Sequence, residues 1–169
     1  MDRVDANLAK FPFGSKYEVI SDFEPLFGGQ SSVHKAIGVK NSREYAVKVM
    51  PIQNETQKTI VLKEIEVLTN NRHRYIVELM DYEIIDNQCF LILPWMSENI
   101  LQSISQNKKN ENDYRIILAK YIIPLVSAIA HLHESGISHR DISANNVLMF
   151  NGEPRLTDFG ASWKDRKST

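Results

Sequence analysis

The sequence predicts an α+β fold, strand-rich in its first part and helix-rich in its second. Three observations carry this. Apolar and polar residues alternate with a period of two in "SSVHKAIGV" (31–39) and "EYAVKVM" (44–50), the pattern of half-buried strands. Apolar residues recur at helical spacing through "DYRIILAKYIIPLVSAIAHLHES" (113–135). The chain has 169 residues, 43% apolar and 24% charged, which suits one ordinary soluble domain rather than a disordered segment. The change of character falls near residues 96–100.

The two alternating runs, joined by the turn-like "KNSR", predict a hairpin. In "ETQKTIVLKEIEVLTNN" (55–71), Ile60, Val61, Leu62, Ile65, Val67 and Leu68 lie at helical spacing, and Asn70-Asn71 marks the helix end. "YIVELMDYEIID" (75–86) and "CFLILPWM" (89–96) read as strands joined by the polar "DNQ". The second is unbrokenly apolar, as a strand covered on both faces should be. "SQNKKNENDY" (105–114) reads as a surface loop. Asp113 is a good N-cap for the long helix, whose apolar stripe is Ile117, Tyr121, Leu125, Ile129 and Leu132 or His133. Pro124 should kink that helix or break it locally, and Gly136 should cap its end. "NVLMF" and "RLTD" around Asn151-Gly152 predict a second hairpin.

A formal net charge of -1 implies no broad attraction to nucleic acid or membrane. Cys89, the single cysteine, forms no internal disulfide, so a reducing compartment is expected, cytoplasmic and/or nuclear. "MDRVDANLAKF" lacks a signal-peptide core, and the apolar runs "CFLILPWM" and "YIIPLV" are too short to span a bilayer. His131 and His133 stand two apart on a helix and face different sides, which does not suggest a metal site. His73 fits a turn after the preceding helix.

The chemistry is concentrated in "HRDISANNV" (139–147). His139-Arg140-Asp141, four residues and Asn146 fit the pattern H-R-D-x-x-x-x-N, and Asp158-Phe159-Gly160 follows twelve residues after Asn146. Upstream, "YAVKV" supplies Lys48 in the style of V-A-I-K, and Glu64 follows sixteen residues later on the helix. In this order and context the chain resembles the eukaryotic protein kinase superfamily over roughly residues 17–163. The resemblance implies a two-lobed fold: an N-terminal extension (1–16), a β-rich N-lobe (17–96), a hinge (97–100) and a partial helical C-lobe (101–169). It implies ATP and Mg²⁺ as cofactors and a protein as substrate.

Phosphoryl transfer requires positioning and charge neutralisation rather than covalent help. By the resemblance, Asp141 accepts the proton of the attacking hydroxyl. Asn146 and Asp158 hold Mg²⁺, a hard cation with a preference for oxygen. Lys48 binds the α and β phosphates, and Glu64 pairs with Lys48. Val33 and Ala46 sandwich adenine above Leu148, Leu93 is the gatekeeper, and Met96 offers hinge backbone groups. Leu68, Leu79, His139 and Phe159 form a regulatory column. Taken alone, Lys48 and Glu64 also read as solvated surface charges, and the column as plain core.

Two departures stand out. Aligned on Val33, the glycine-loop pattern G-x-G-x-x-G-x-V meets Leu26, Gly28 and Ser31, with Gly29 and Gln30 between. Only the middle glycine remains, whose freedom in φ and lack of a side chain admit phosphate to backbone N–H groups; Ser31 is small enough to substitute. "FGGQSS" also reads as an ordinary turn. Second, Ser143 and Asn145 are neutral where the family usually carries a lysine or arginine near the γ-phosphate, a charge that matters by a few kcal/mol in a dry site.

The sequence ends eleven residues after Asp158, whereas the family continues into further helices. The expectation is a fragment or short form whose stripe Ile117, Tyr121, Leu125 and Ile129 is partly exposed, inviting a partner that covers it. The basic residues Lys164, Arg166 and Lys167 read as a solvated tail. Narrower likenesses point to cyclin-dependent kinases, and "DFGASW" to divergent fungal kinases that act on them. "KTIVLKE" stands where many of the former carry P-S-T-A-I-R-E, so a cyclin partner is unsupported. Serine/threonine specificity is favoured as the commoner class. The alternative from another class is a non-catalytic pseudokinase or kinase fragment that binds a nucleotide or partner.

Overall fold

The computed structural model describes residues 11–28, 31–107 and 114–164. The chain divides into two compact units, Met1–Val61 with Leu79–Trp95, and Leu62–Glu78 with Met96–Thr169. The sequence suggests one cut near 96–100. Residues 62–78 instead group with the later part because backbone bonds hold them there. The Val77 N–H donates to the Leu156 carbonyl at 2.9 Å, and the Leu156 N–H to the Tyr75 carbonyl at 2.9 Å. The expected hinge 97–100 is itself structured: strand β7 (Glu98–Asn99) runs straight into a helix beginning at Ile100.

The first unit is built on a six-stranded antiparallel sheet. Its strands are β1 (Tyr17–Val19), β2 (Leu26–Gly28), β3 (Ser31–Gly38), β4 (Glu44–Pro51), β5 (Asp81–Ile85) and β6 (Gln88–Pro94). The order is β1-β3-β4-β6-β5. β2 also pairs with β3, at Ser31–Val33, while β1 takes Ala36–Gly38, so β1 and β2 amount to one interrupted edge strand. The β3–β4 hairpin forms as the alternation predicts, with Ala36 opposite Tyr45.

The β5–β6 turn places Asp86 and Asn87 at φ 45° and 64°, a region those short polar side chains tolerate. Residues 75–80 do not join β5: only Asp81–Ile85 pair in the sheet. On one sheet face Phe13, Ala36, Tyr45, Val47, Val49, Phe90 and Ile92 form the core. Cys89, Phe90, Leu91 and Ile92 are all fully buried, so both faces of β6 are covered.

Helix α1 (Glu55–Asn70) is capped by Asn54, whose Oδ1 accepts the Gln57 N–H at 2.9 Å. It buries Val61, Glu64, Ile65, Val67 and Leu68. Ile60 and Leu62, at helical spacing in the sequence, point outward.

The second unit holds helices α2 (Ile100–Asn107) and α3 (Tyr114–Glu134) and strands β8 (Ile137–Ser138), β9 (Val147–Phe150), β10 (Glu153–Leu156) and β11 (Trp163–Lys164). β10-β9-β7 form one sheet and β11-β8 another. The turn between β9 and β10 is Asn151-Gly152, both at positive φ as an N-G hairpin demands. The loop expected at 105–114 is shorter, because Ser105–Asn107 close α2 and Tyr114 opens α3. Residues 108–113, including the Asp113 cap, lie outside the described residues. Lys164 belongs to β11 rather than to a tail, and Arg166 and Lys167 also lie outside.

α3 contains a π-helical turn at Leu118–Ile122, where the Ile123 N–H reaches back to the Leu118 carbonyl. It stands directly before Pro124, which has no N–H to give and whose ring would crowd an ordinary turn; the wider turn accommodates it without ending the helix. Gly136, at φ 71°, closes the helix and donates to the His133 carbonyl at 2.9 Å.

The stripe expected to be partly exposed is so at Ile117, Leu125 and Ile129 but is corrected at Tyr121. Tyr121 is fully buried, with its hydroxyl 3.1 Å from the Ser103 hydroxyl, and Ile117, Leu125 and Ile129 are half-buried. The exposed apolar residues are their neighbours Ile116, Leu118, Ile122, Ile123 and Val126. α3 is thus apolar on both sides, with the stripe read from periodicity the more buried of the two. By length and composition alone Tyr114–Glu134 could also cross a membrane, which the short unbroken apolar runs do not suggest. Tyr121, Pro124, Ala128 and Leu132 are nevertheless buried within the protein.

Candidate active site

In an antiparallel sheet, directly opposed residues share a face, as do residues two apart. Val33 pairs with Lys48, Lys48 with Leu91, Ala46 with Leu93, Leu26 with Val33 and Gly28 with Ser31. Gly28, Ser31, Val33, Ala46, Lys48 and Leu93 therefore all stand on one face of the first unit's sheet, opposite to its aromatic core. Ala46 and Lys48 are buried; Ser31, Val33 and Leu93 are half-buried. Four apolar or small side chains beside one buried cation suit a flat base joined to a polyanion.

On either side of the glycine loop β2 and β3 pair, and the Ser31 hydroxyl donates to the Gly28 carbonyl at 2.9 Å. Gly28 does not adopt positive φ, so its conformational freedom is not used here; a Cβ placed on it would meet nothing within 4 Å. That open space is what a phosphate could occupy. Gly29 lies outside the described residues.

In the second unit the loop between β8 and β9 carries the polar cluster. His139 is 2% exposed. Its Nε2–H donates to the Thr157 carbonyl at 3.0 Å, its Nδ1 accepts the Asp141 N–H at 3.3 Å, and its ring meets Phe159 edge-on at 4.8 Å. The loop ends in a 3₁₀ turn, Ala144–Asn146, entered from Ser143 in extended conformation. The Asn146 amide donates to the Asp141 carboxylate at 2.8 Å and to its carbonyl at 2.9 Å. The Asn146 carbonyl accepts the Thr157 N–H at 2.9 Å and hydroxyl at 3.2 Å. Thr157 immediately precedes Asp158, so the loop and the D-F-G segment are fastened together.

Asp141 and Asp158 are exposed, while Phe159 and Glu64 are almost wholly buried. Arg140 and Asp158 have φ of 69° and 60°, strain of about 1–2 kcal/mol each, of the kind that gathers at working sites. Of the expected column, Leu68, His139 and Phe159 are buried in this unit, and Leu79 is half-buried in the other. Leu148 is half-buried in β9, opposite Asn99 and Arg155, and Met96 is half-buried at the start of the unit's second stretch.

Among the described residues no group of three or more His, Cys, Asp and Glu could hold a metal. That donor set does not suit a protein-caged ion, but it suits Mg²⁺, which keeps waters and takes one or two carboxylates plus substrate phosphates. Asp158 and Asn146 carry oxygens of the hard type that Mg²⁺ prefers. His73 and His131 stack at 5.0 Å, and burial first, then the neighbouring His131 and Arg155 charges, holds His73 below the usual histidine range.

Sequence reasoning overlooked Thr157 and Trp163. Trp163 receives the Lys63 ammonium at 4.4 Å and the Arg140 guanidinium at 4.8 Å from its ring centre. No periodicity announces such a contact, although an aromatic residue soon after D-F-G is a weak signal.

The protein kinase domain family matches residues 27–169. The chain is 32% identical over 153 residues to the serine/threonine-protein kinase CLA4 of Candida albicans, covering 82% of this chain and 15% of that protein. It is 28% identical over 134 residues to the serine/threonine-protein kinase pak-1 of Caenorhabditis elegans, covering 79% and 23%. It is 25% identical over 150 residues to the serine/threonine-protein kinase PAK 1 of Mus musculus, covering 87% and 27%. The chain thus spans between 15% and 27% of the length of these relatives. None of the three is named as a cyclin-dependent kinase, so the narrower likeness read from the sequence does not rest on them. On the match across most of its length, and on motif residues set in ordered strands and loops, the chain belongs to the protein kinase domain family.

Proposed function

We propose that the chain carries out ATP-dependent phosphoryl transfer to a serine or threonine hydroxyl of a protein. The observation that carries this reading is the pair of hydrogen bonds that the Asn146 amide donates to Asp141, which holds a carboxylate on an exposed loop fastened through Thr157 beside Asp158. In the transfer the acceptor oxygen bonds to the γ-phosphorus, the bond from that phosphorus to the β–γ bridging oxygen breaks, and Asp141 takes the hydroxyl proton. Lys48 would hold phosphate oxygens, and Val33, Ala46 and Leu93 would hold the base. Asp158 and Asn146 would hold Mg²⁺, which when bound neutralises charge on the phosphates. The serine/threonine class is supported by the names of the relatives.

A second reading, nucleotide or partner binding without transfer, is favoured by the neutral Ser143 and Asn145. Transfer of radiolabelled γ-phosphate to a generic basic protein separates the two. The chain should label it, and Asp141→Ala should lose about 10²–10⁴-fold in rate, the usual contribution of a general base. Equal background counts from both would leave only the binding role.

A further inference from the structure

We infer that Trp163 is a positioning residue that clamps α1 to the loop carrying Asp141. Its effect on turnover rests on the kinase reading; the clamp itself does not. β11 is two residues long, and its register sets Trp163 opposite Ser138, the residue before His139-Arg140-Asp141. The indole is 42% exposed, so burial does not account for its being there.

Two cations come to this one ring, Lys63 from α1 at 4.4 Å and Arg140 from the loop at 4.8 Å. Neither has a carboxylate partner among the described residues. Two like charges brought together repel; the electron-rich ring face offsets that, and tryptophan does so best among the aromatic side chains.

The covalent neighbours give the contact its consequence. Lys63 precedes Glu64, and Arg140 precedes Asp141. One side chain therefore ties both acidic positions at a distance of one residue each. Arg140 is also in the left-handed region, φ 69°, a conformation that must be held from outside. His139 anchors the inner side of the loop on Thr157 and Phe159, and Trp163 anchors the outer side. Without the ring, Arg140 is released and the Asp141 carboxylate loses its fixed place.

The test uses Trp163→Phe, Trp163→Leu, Lys63→Met and the double Lys63→Met/Trp163→Leu, read by chemical denaturation and by transfer kinetics. The double variant should lose less stability than the two single losses added, since they break one contact. Trp163→Leu should lower kcat between about 10- and 100-fold, the effect of misplacing a reacting group, with KM for ATP nearly unchanged. Trp163→Phe, keeping a weaker ring, should fall between.

Additive losses, or a wild-type kcat in Trp163→Leu, would overturn the proposal. If Trp163→Leu does not fold, the Phe variant and Lys63→Met decide it: wild-type kcat in both overturns it, lowered kcat in both supports it. If the unaltered chain transfers no phosphate, the kinase reading fails by itself. The clamp is then judged on the denaturation cycle alone, non-additivity supporting it and additivity refuting it.

Discussion

Asn146 and Asp141 are joined twice through a single amide nitrogen, to the carboxylate at 2.8 Å and to the backbone carbonyl at 2.9 Å. Both bonds come from the donor end of the side chain, and its acceptor oxygen takes no part in them. Asparagine thereby fixes the aspartate with its donor end alone, and its acceptor oxygen would be available to Mg²⁺ in the proposed transfer, a combination alanine cannot offer. Asn146→Ala should cost about 1 kcal/mol in unfolding free energy, as lost hydrogen bonds do. It should also cut kcat by about 100-fold, as misplacement of a reacting group does. A denaturant midpoint and a rate on the same preparation check both.

Gly28 gives a cleaner separation of folding from binding. A Cβ there meets nothing within 4 Å, and β2 is an edge strand in which a branched side chain is at home. Gly28→Val should therefore melt like the unaltered chain. It should also fill the space beside the Ser31 turn. Saturation with Mg-ATP at 100 times Kd stabilises a protein by about 2.7 kcal/mol, and the variant should show a much smaller rise in Tm at the same nucleotide concentration.

Acid should weaken the fold. Burial holds His34 below the usual histidine value of 6.5, with its Nε2 bonded to the Ser32 hydroxyl at 2.9 Å. His73 is held low as well, by burial first and then by His131 and Arg155. For a base with a lowered folded pKa, the unfolded chain binds more protons. The stability is complete above about pH 6.5 and is lost as pH falls from there toward the folded value. Tm measured between pH 5 and 8 should drop on the acid side, and His34→Gln should flatten that drop.

The outer side of α3 should bind a hydrophobic dye. Ile123 and Val126 are 57% and 58% exposed, beside exposed Leu118 and Ile122. Ile123→Lys with Val126→Lys should lower anilinonaphthalene sulfonate fluorescence while leaving unfolding free energy within about 0.5 kcal/mol, as for ordinary surface changes.

Local chemistry was legible in the chain before any fold was known. The two-residue period drew β3 and β4, Asn151-Gly152 drew the β9–β10 turn, and Gly136 ended α3. The loop 139–146 was read residue by residue from its spacing. What escaped notice depends on distant neighbours. Ile60 and Leu62 fit a helical stripe yet face outward, because spacing counts apolar residues without saying what covers them. The stripe of α3 does face inward at Tyr121 and Leu132, but spacing gives no hint that the neighbouring Leu118, Ile122, Ile123 and Val126 add a second, exposed apolar side. Residues 62–78 group with the later part through the bonds of Tyr75 and Val77 to Leu156, about eighty residues further along the chain. Trp163 gains its role from Lys63, one hundred residues earlier.

The alternation in β4 divides labour between two surfaces a single backbone thick. Substitutions at Val47 and Val49 should alter how firmly the scaffold holds together, whereas on the proposed function those at Ala46 and Lys48 should alter what it can grip. A deletion of one residue in this strand would exchange the two roles: an ammonium would be pressed among Phe13, Tyr45 and Phe90, and a valine would look out in its stead. Length changes introduced here by an engineer should therefore come in pairs, since only an even step returns every side chain to its own side.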